Sequence, residues 1–303
     1  MLRAIIDAFL ALRRAAGFKL RAEGQLLHNF AQWASARGET HVRTITATEW
    51  AAMARNHWQR ERRLRVVAGF ARYARAEDSR HESPPICVFG GRRPRPNPYI
   101  YSSDEVQSLL NAASRLASTW PLRPEIFAAL IGLLASTGLR ISEALALRFA
   151  DVTCDGLVIR KTKFNKSRLV PLHPTTASAI GRYLEIRRRG SAKSDSIFIS
   201  PNGNRLSDTT AHRTFRRLVN QTSIGSVAKT PAPRIHDLRH TFATRVLETS
   251  PQEGSAAGWR VRALSTYLGH ANIADTCWYL HATPQLMRGV ADACERLLEG
   301  GAR

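Results

Sequence analysis

The stretch S-P-P-I-C-V-F-G-G-R-R-P-R-P-N-P, from Ser83 to Pro98, limits what this chain can fold into more than any other. Each proline lacks a backbone N–H and fixes its own φ, so neither a helix interior nor a central strand can run through the segment. Residues 81–98 therefore read as a semi-rigid basic connector. It separates a segment of residues 1–80 from one of 99–303, and a chain of 303 residues is long enough for each to bury an ordinary core.

Residues 1–80 read as helices only. Phe9, Leu12, Leu26, Leu27, Phe30 and Trp33 recur at helical spacing, and Thr46-x-x-Glu49 has the pattern of a capping box ahead of Trp50 and Met53. A long basic helix is expected from about Arg55 to Arg75. Its Trp58, Leu64, Val67, Phe70 and Ala71 can face a core, while Arg60, Arg62, Arg63, Arg65, Arg72 and Arg75 point outward. Such arginines often form a plain solvated face; with few acids nearby to pair with them, this cluster reads as a set of phosphate contacts.

The second segment mixes helices with a small hairpin. Ser102-x-x-Glu105 is a capping box, and 125–137 is apolar on more than one face, as a central helix would be, until Gly138 stops it. Arg140 follows at the edge of the core, where a guanidinium is costly unless it meets an anion or a carboxylate. Leu157-Val158-Ile159 and Leu169-Val170-Pro171-Leu172 alternate as two strands around a turn holding Lys161, Lys163 and Lys166. Helices near 175–188 and 208–219, a short Ile197-Phe198-Ile199 strand and a polar loop over 250–259 complete the pattern.

The most informative helix is R-I-H-D-L-R-H-T-F-A-T-R, from Arg234 to Arg245. The i, i+3 spacing puts His236 and Arg239 on one face, with Leu238 and Phe242 on an adjoining face that can be buried. Arginine cannot give up its proton to ligate a metal, so the pair makes a poor metal site and a good phosphate clamp.

Charge agrees with an anionic guest. Against 24 Asp+Glu stand 45 Lys+Arg, a formal charge of +21, which suits a polyanion such as nucleic acid; a merely basic protein or a membrane-surface binder is the plainer alternative. The four cysteines (Cys87, Cys154, Cys277 and Cys294) show no C-x-x-C spacing, so neither a zinc site nor a disulfide framework is expected. The N-terminal apolar stretch is broken by Asp7, and no run reaches the roughly 18 apolar residues of a spanning helix. A soluble, unprocessed, cytoplasmic protein that contacts no membrane is the expectation.

Taken together, Arg140 in T-G-L-R-I-S-E, Lys163 in the hairpin turn, His236-x-x-Arg239, His270 in L-G-H and Tyr279 nine residues later form a set in a fixed order. In this the chain resembles the tyrosine recombinases, the phage-integrase family, over residues 98–283. The resemblance implies a mainly α fold with a small β-hairpin or sheet. A helical core-binding domain at 1–80 would be joined by the linker to an α+β catalytic domain at 99–303 that ends in a C-terminal helix, and the two domains together would encircle duplex DNA. Aligned on the closing R-L-V-P-L, Lys163 matches the family's catalytic lysine, although a lysine in a hairpin turn is more often simply solvated.

The chemistry of these residue types fits strand breakage and rejoining. Two guanidiniums, Arg140 and Arg239, can fork onto the non-bridging oxygens of a phosphodiester, and Tyr279 can attack phosphorus to leave a covalent 3′-phosphotyrosine. Lys163 is the expected acid for the departing 5′-oxygen. His236 and His270 would be its acid/base and hydrogen-bonding partners, and Glu143 the acidic residue that steadies neighbouring cations. His240 and His281 also stand where the family has histidines. No cofactor and no metal is expected. The expected partner is double-stranded DNA, bound by a homo-oligomer (a tetramer) with or without other recombinases, in the service of a mobile element. The stripe Leu286, Met287, Val290, Cys294 and Leu297 over 283–298 either packs at home or docks on a neighbouring protomer. Two rival functions share the pattern: a DNA-binding partner that assists another recombinase, which the intact catalytic set argues against, and a type IB topoisomerase, which the spacing argues against.

Overall fold

The computed structural model describes residues 1–90, 97–160, 167–190, 194–225, 232–249 and 256–281. It divides into two compact units, Met1–Arg95 and Pro96–Arg303.

In the first unit, α1 (Leu2–Ala15), α2 (Arg21–Ser35), α3 (Thr44–Ala52) and α4 (His57–Glu77) bury Leu2, Ile6, Leu10, Leu27, Phe30, Trp50, Leu64, Val67 and Phe70 in one core. The stripe on α1 runs Leu2, Ile6, Leu10, which turns Leu12 to solvent against expectation, because a residue two positions on lies across the helix. Thr46 is also not a cap. The helix starts earlier, at Thr44, and Thr46 donates instead to Glu39 Oε1 at 2.5 Å. The Thr44 N–H is met from far along the chain by Glu82 at 2.8 Å. On α4 the side chain of Asn56 accepts from the Gln59 N–H.

Residues 81–89, read above as part of the connector, are fastened to these helices. Glu61, a buried acid on α4, accepts the N–H groups of Cys87 (2.8 Å) and Phe89 (3.3 Å). Buried His81 accepts the Val42 N–H on Nδ1 at 3.0 Å.

The second unit opens with α5 (Ser103–Ser114), started by the expected reciprocal box between Ser102 and Glu105. Next, α6 (Arg123–Thr137) buries Ile126, Phe127, Leu130, Ile131, Leu133 and Leu134 and ends at Gly138, whose φ of 60° is the left-handed conformation that glycine adopts freely. After α7 (Ile141–Ala146) comes an antiparallel sheet, β1 (Val152–Thr153), β2 (Gly156–Ile159) and β3 (Arg168–Val170), with Leu157 opposite Val170 and Ile159 opposite Arg168. The second strand is shorter than expected: Pro171, with no N–H to offer a ladder, and Leu172 fall outside it. The turn with Lys161, Lys163 and Lys166 lies outside the described residues.

The helices α8 (Pro174–Arg189) and α9 (Asp208–Thr222) follow. Between them Ile197, Phe198 and Ile199 are buried but form no strand, only isolated bridges of Ser196 to Arg148 and of Ile199 to Arg205. Then come α10 (Asp237–Glu248), α11 (Ala256–Leu268) and α12 (Ala274–Cys277), with a tight 3₁₀ turn at Trp278–His281. The expected polar loop over 250–259 is thus corrected at its end, since α11 already begins at Ala256; residues 250–255 and the C-terminal stripe at 283–298 lie outside the described residues. The apolar helix α6 packs against α5, α8 and α10, and so connects most of the unit. Among the described residues no helix is long and apolar enough to cross a membrane.

His81 makes the first unit acid-sensitive. Burial, then the neighbouring His41, lowers its pKa below the ordinary histidine value. As pH falls below about 6.5 the unfolded chain takes up a proton that the folded ring refuses, so stability drops until the folded ring is protonated as well. Urea midpoints of the full chain measured from neutral pH downward should fall less in His81→Asn than in the unaltered protein; equal falls would exclude this histidine as a cause.

Candidate active site

The site is assembled from the ends of elements. His236 is the N-cap of α10, Arg140 the N-cap of α7, and His270 follows the C-terminal turn of α11. Tyr279 lies in the closing 3₁₀ turn, and Arg239 alone sits inside a helix. The structure brings all five together.

Arg239 is 2 % exposed. It donates from Nη1 to the Gly138 carbonyl at 2.7 Å and from Nη2 to the Leu268 carbonyl at 2.8 Å. Arg140 shares the Leu268 carbonyl (3.4 Å), adds that of Gly269 (3.2 Å), and pairs with Glu143 Oε1 at 2.9 Å. Two guanidiniums meeting at one carbonyl are close like charges. Burial, then the charge of Arg140, pushes the pKa of Arg239 down to about 10. An anion between them would relieve that repulsion.

Tyr279 is buried, and the charge of Arg239 acts on its phenol. Burial raises its phenol above the ordinary tyrosine value, and the neighbouring Arg239 guanidinium opposes the rise. Its ring lies 5.4 Å from His240 and 6.0 Å from His270, and His240 in turn lies 4.8 Å from His236. The His236 ring is held below the ordinary value by the protein packed about it and then by the charge of Arg239. His270 is pushed down to about 4 by burial and by the charges of Arg239 and Arg140, so it is neutral near pH 7.

Two residues that the sequence reading passed over belong here. Arg168 forks onto both Glu143 oxygens (3.1 and 2.9 Å) and donates from Nε to the Tyr267 carbonyl at 2.8 Å. A signal existed: Val170 faces the core, so the period of two puts Arg168 on the same buried side and Leu169 outside, and a buried arginine calls for an acid. Thr276, fully buried, lies with its hydroxyl 2.6 Å from His270 Nδ1. Nothing in its local sequence marks it.

Other expectations are less well placed. Lys163 lies outside the described residues, as does the side chain of His281. The four arginines of α4 are not short of partners: Arg60 and Arg63 donate to the carbonyls of Ala54 and Trp50, Arg65 pairs with Glu61, and Arg62 lies 3.6 Å from Glu23. His41, Asp78 and His81 bring three candidate metal-ligand atoms within 4.8 Å of one another. The donor set does not suit a metal, because His81 Nδ1 accepts the Val42 N–H and the neutral ring must keep its proton on Nε2.

Residues 100–285 match the model of the phage integrase family. The chain belongs to the phage integrase family. It is 39 % identical to a putative integrase/recombinase, y4rB, of Sinorhizobium fredii over 98 % of both chains. It is 34 % identical to the tyrosine recombinase XerD of Caulobacter vibrioides over 73 % of this chain and 69 % of that one. Among solved structures, the Tn1549 transposon integrase in complex with transposon right-end DNA superposes with a TM-score of 0.69 at 20 % identity, covering 96 % of this chain and 98 % of that one. This integrase-family fold is mostly helical with one small antiparallel sheet, as expected.

Thr276 Oγ1 and His270 Nδ1 are hydrogen-bond partners, and a buried hydroxyl that donates its proton to Nδ1 favours the neutral ring with its own proton on Nε2. ¹⁵N NMR of the labelled protein should report the Nε2–H tautomer. Thr276→Val should slow reaction with DNA by about tenfold or more, the scale seen where a partner orients a functional imidazole, and Thr276→Ser should restore it. An Nδ1–H tautomer in the unaltered protein would reverse the assignment.

Proposed function

We propose that this integrase-family protein is a site-specific DNA recombinase in which Tyr279 cuts one strand of a duplex and holds it through a 3′-phosphotyrosyl bond. The observation that carries the reading is buried Tyr279 lying against His240 and His270 of the same chain and within the field of the Arg239 guanidinium, with Arg140 sharing a carbonyl ligand with that arginine. Nucleophile and clamp meet in cis.

In the proposed reaction Arg140 and Arg239 hold the non-bridging oxygens, where charge grows in the transition state. The Tyr279 oxygen bonds to phosphorus as the bond to the 5′-oxygen breaks. His236, held neutral, takes the phenolic proton, Lys163 supplies one to the leaving 5′-oxygen, and His270 donates a hydrogen bond from Nε2. Reversal by a second 5′-hydroxyl rejoins the strand with no external energy source. Glu143 steadies Arg140. Guanidiniums serve where a metal would otherwise neutralise charge, so no cofactor enters the scheme.

The remaining assignments rest on the same family reading. Residues 1–80 would act as a core-binding domain, 81–98 as the linker and 99–303 as the catalytic domain. Arg60, Arg62, Arg63 and Arg65 would reach DNA phosphates with the N–H groups that their internal bonds leave over. A homo-tetramer on DNA, with or without a second recombinase, would act in the cytoplasm on behalf of a mobile element. The names of the relatives, an integrase/recombinase and a transposon integrase, support the last point.

Tyr279→Phe should keep DNA binding and abolish the SDS-stable adduct on fragmented genomic DNA; an adduct that persists in this variant would dismiss Tyr279 as nucleophile. Arg140→Ala and Arg239→Ala should each slow adduct formation by ~100- to ~1,000-fold, the loss typical of one transition-state donor, with smaller losses of affinity. Cleavage should continue in excess chelator, and affinity should fall steeply with salt. Loss of cleavage with chelator would contradict the scheme.

A further inference from the structure

Glu143 is shared unequally. Its side chain is 9 % exposed and accepts two charge-assisted bonds from Arg168, itself 12 % exposed, and from Arg140 a side-chain bond to Oε1 and a backbone N–H bond to Oε2. Burial alone would raise the carboxyl; the bond and charge of Arg168, followed by those of Arg140, hold it below the ordinary carboxylate value. It is therefore a buried anion next to the proposed phosphate site, 35 % of whose neighbour Arg140 is open to solvent. An uncompensated carboxylate there would repel DNA and capture Arg140.

Arg168 is fixed on both sides. It follows the hairpin turn at the start of β3, and its Nε holds the Tyr267 carbonyl at the end of α11. Gly269, with φ of +67°, lies so close that a Cβ there would come within 2.6 Å of Arg168 Nη1. Strand, helix end and carboxylate hold one guanidinium, and its fork reaches both carboxylate oxygens in a geometry that lysine cannot copy.

We propose that Arg168 is a positioning residue for strand cleavage: by neutralising Glu143 it leaves the Arg140 guanidinium available to the scissile phosphate. Arg168 itself need not touch DNA. The fork on Glu143 uses Nη1 and Nη2, and Nε is committed to Tyr267. The effect passes from Arg168 through Glu143 to Arg140. This rests on the proposed recombinase reading, and the test separates the two.

The test uses the full chain and a synthetic duplex of the sequence recovered from the adducts of the unaltered protein. If that protein forms no adduct, the recombinase reading fails and this inference with it. If it does, Arg168→Ala should slow single-turnover adduct formation by about 100-fold, as a displaced catalytic group does, with little change in DNA affinity. Arg168→Lys should not restore it. Removing the stranded charge should: Arg168→Ala with Glu143→Gln should react at least about tenfold faster than Arg168→Ala alone, a coupling that only residues acting through one another show. A double variant no faster than the single would overturn the proposal. If Arg168→Ala does not fold, the comparison moves to Glu143→Gln with and without Arg168→Ala, where the second change should cost less than about threefold; a larger loss would also overturn it. A duplex with sulfur as the bridging 5′-atom adds a third arm, since a thiolate leaves without a proton. Arg168→Ala should stay slow on it, and rescue would assign Arg168 to the leaving-group acid instead of the clamp.

Discussion

The second unit depends on how α11 ends. Gly269 in the left-handed conformation lets its N–H reach the Thr266 carbonyl and that of His270 the Ser265 carbonyl, each at 3.0 Å, which is the two-bond closure of a helix C-terminus. The next three carbonyls have no helical partner and point out of the end. Arginines take all three: Arg168 that of Tyr267, Arg140 and Arg239 that of Leu268, and Arg140 that of Gly269. Arginines 29 to 129 positions away along the chain are gathered on one turn.

Carbonyls are suited to this task because they satisfy N–H groups without cancelling charge. A carboxylate against Arg239 would have made a neutral pair with nothing left for a substrate. Helix C-terminal carbonyls carry only partial negative charge, enough to steady a cation. Gly138, ending α6, supplies a second such carbonyl to Arg239. A Cβ at this glycine would meet the Phe242 ring at 2.5 Å, so the same residue permits the turn and the packing of α10 against it. The result is a pair of guanidiniums with their donors ordered and their repulsion unrelieved, which Arg239 registers as a pKa pushed down to about 10. Glu143, the acid that Arg140 meets, is taken up mainly by a third arginine.

What could be read from the sequence was local. Ser102 with Glu105 and Gly138 after an apolar helix are each decided within a turn or two and stand as expected, whereas His236, read as part of a helix from Arg234, is the cap of one that starts at Asp237. Readings failed where a distant residue met the local need. Thr46 was no cap because Glu82 serves α3 from outside, and the α4 arginines were not unpaired because Glu23 and Glu61 face them. The Ile197–Ile199 segment has strand-like residues but no continuous neighbour to form a ladder. Arg168 could have been found from its alternation with Val170, a two-residue pattern too short to draw notice. Thr276 could not, since its mark is a contact with His270, six residues earlier, that no helix or strand spacing announces.

That contrast follows from where the functional groups sit. Arg140, His236, His270 and Tyr279 occupy element ends, where backbone groups lack helical partners and side chains lean over the boundary. Boundaries are marked in sequence by glycines and caps, so these positions announce themselves. Arg239 is different: it lies within α10, buried, and its two bonds to carbonyls hold α6 to α11. Its structural role and the catalytic one proposed for it fall on the same guanidinium. The other groups can be adjusted by changing a loop, whereas any change at Arg239 must also remake the packing of three helices.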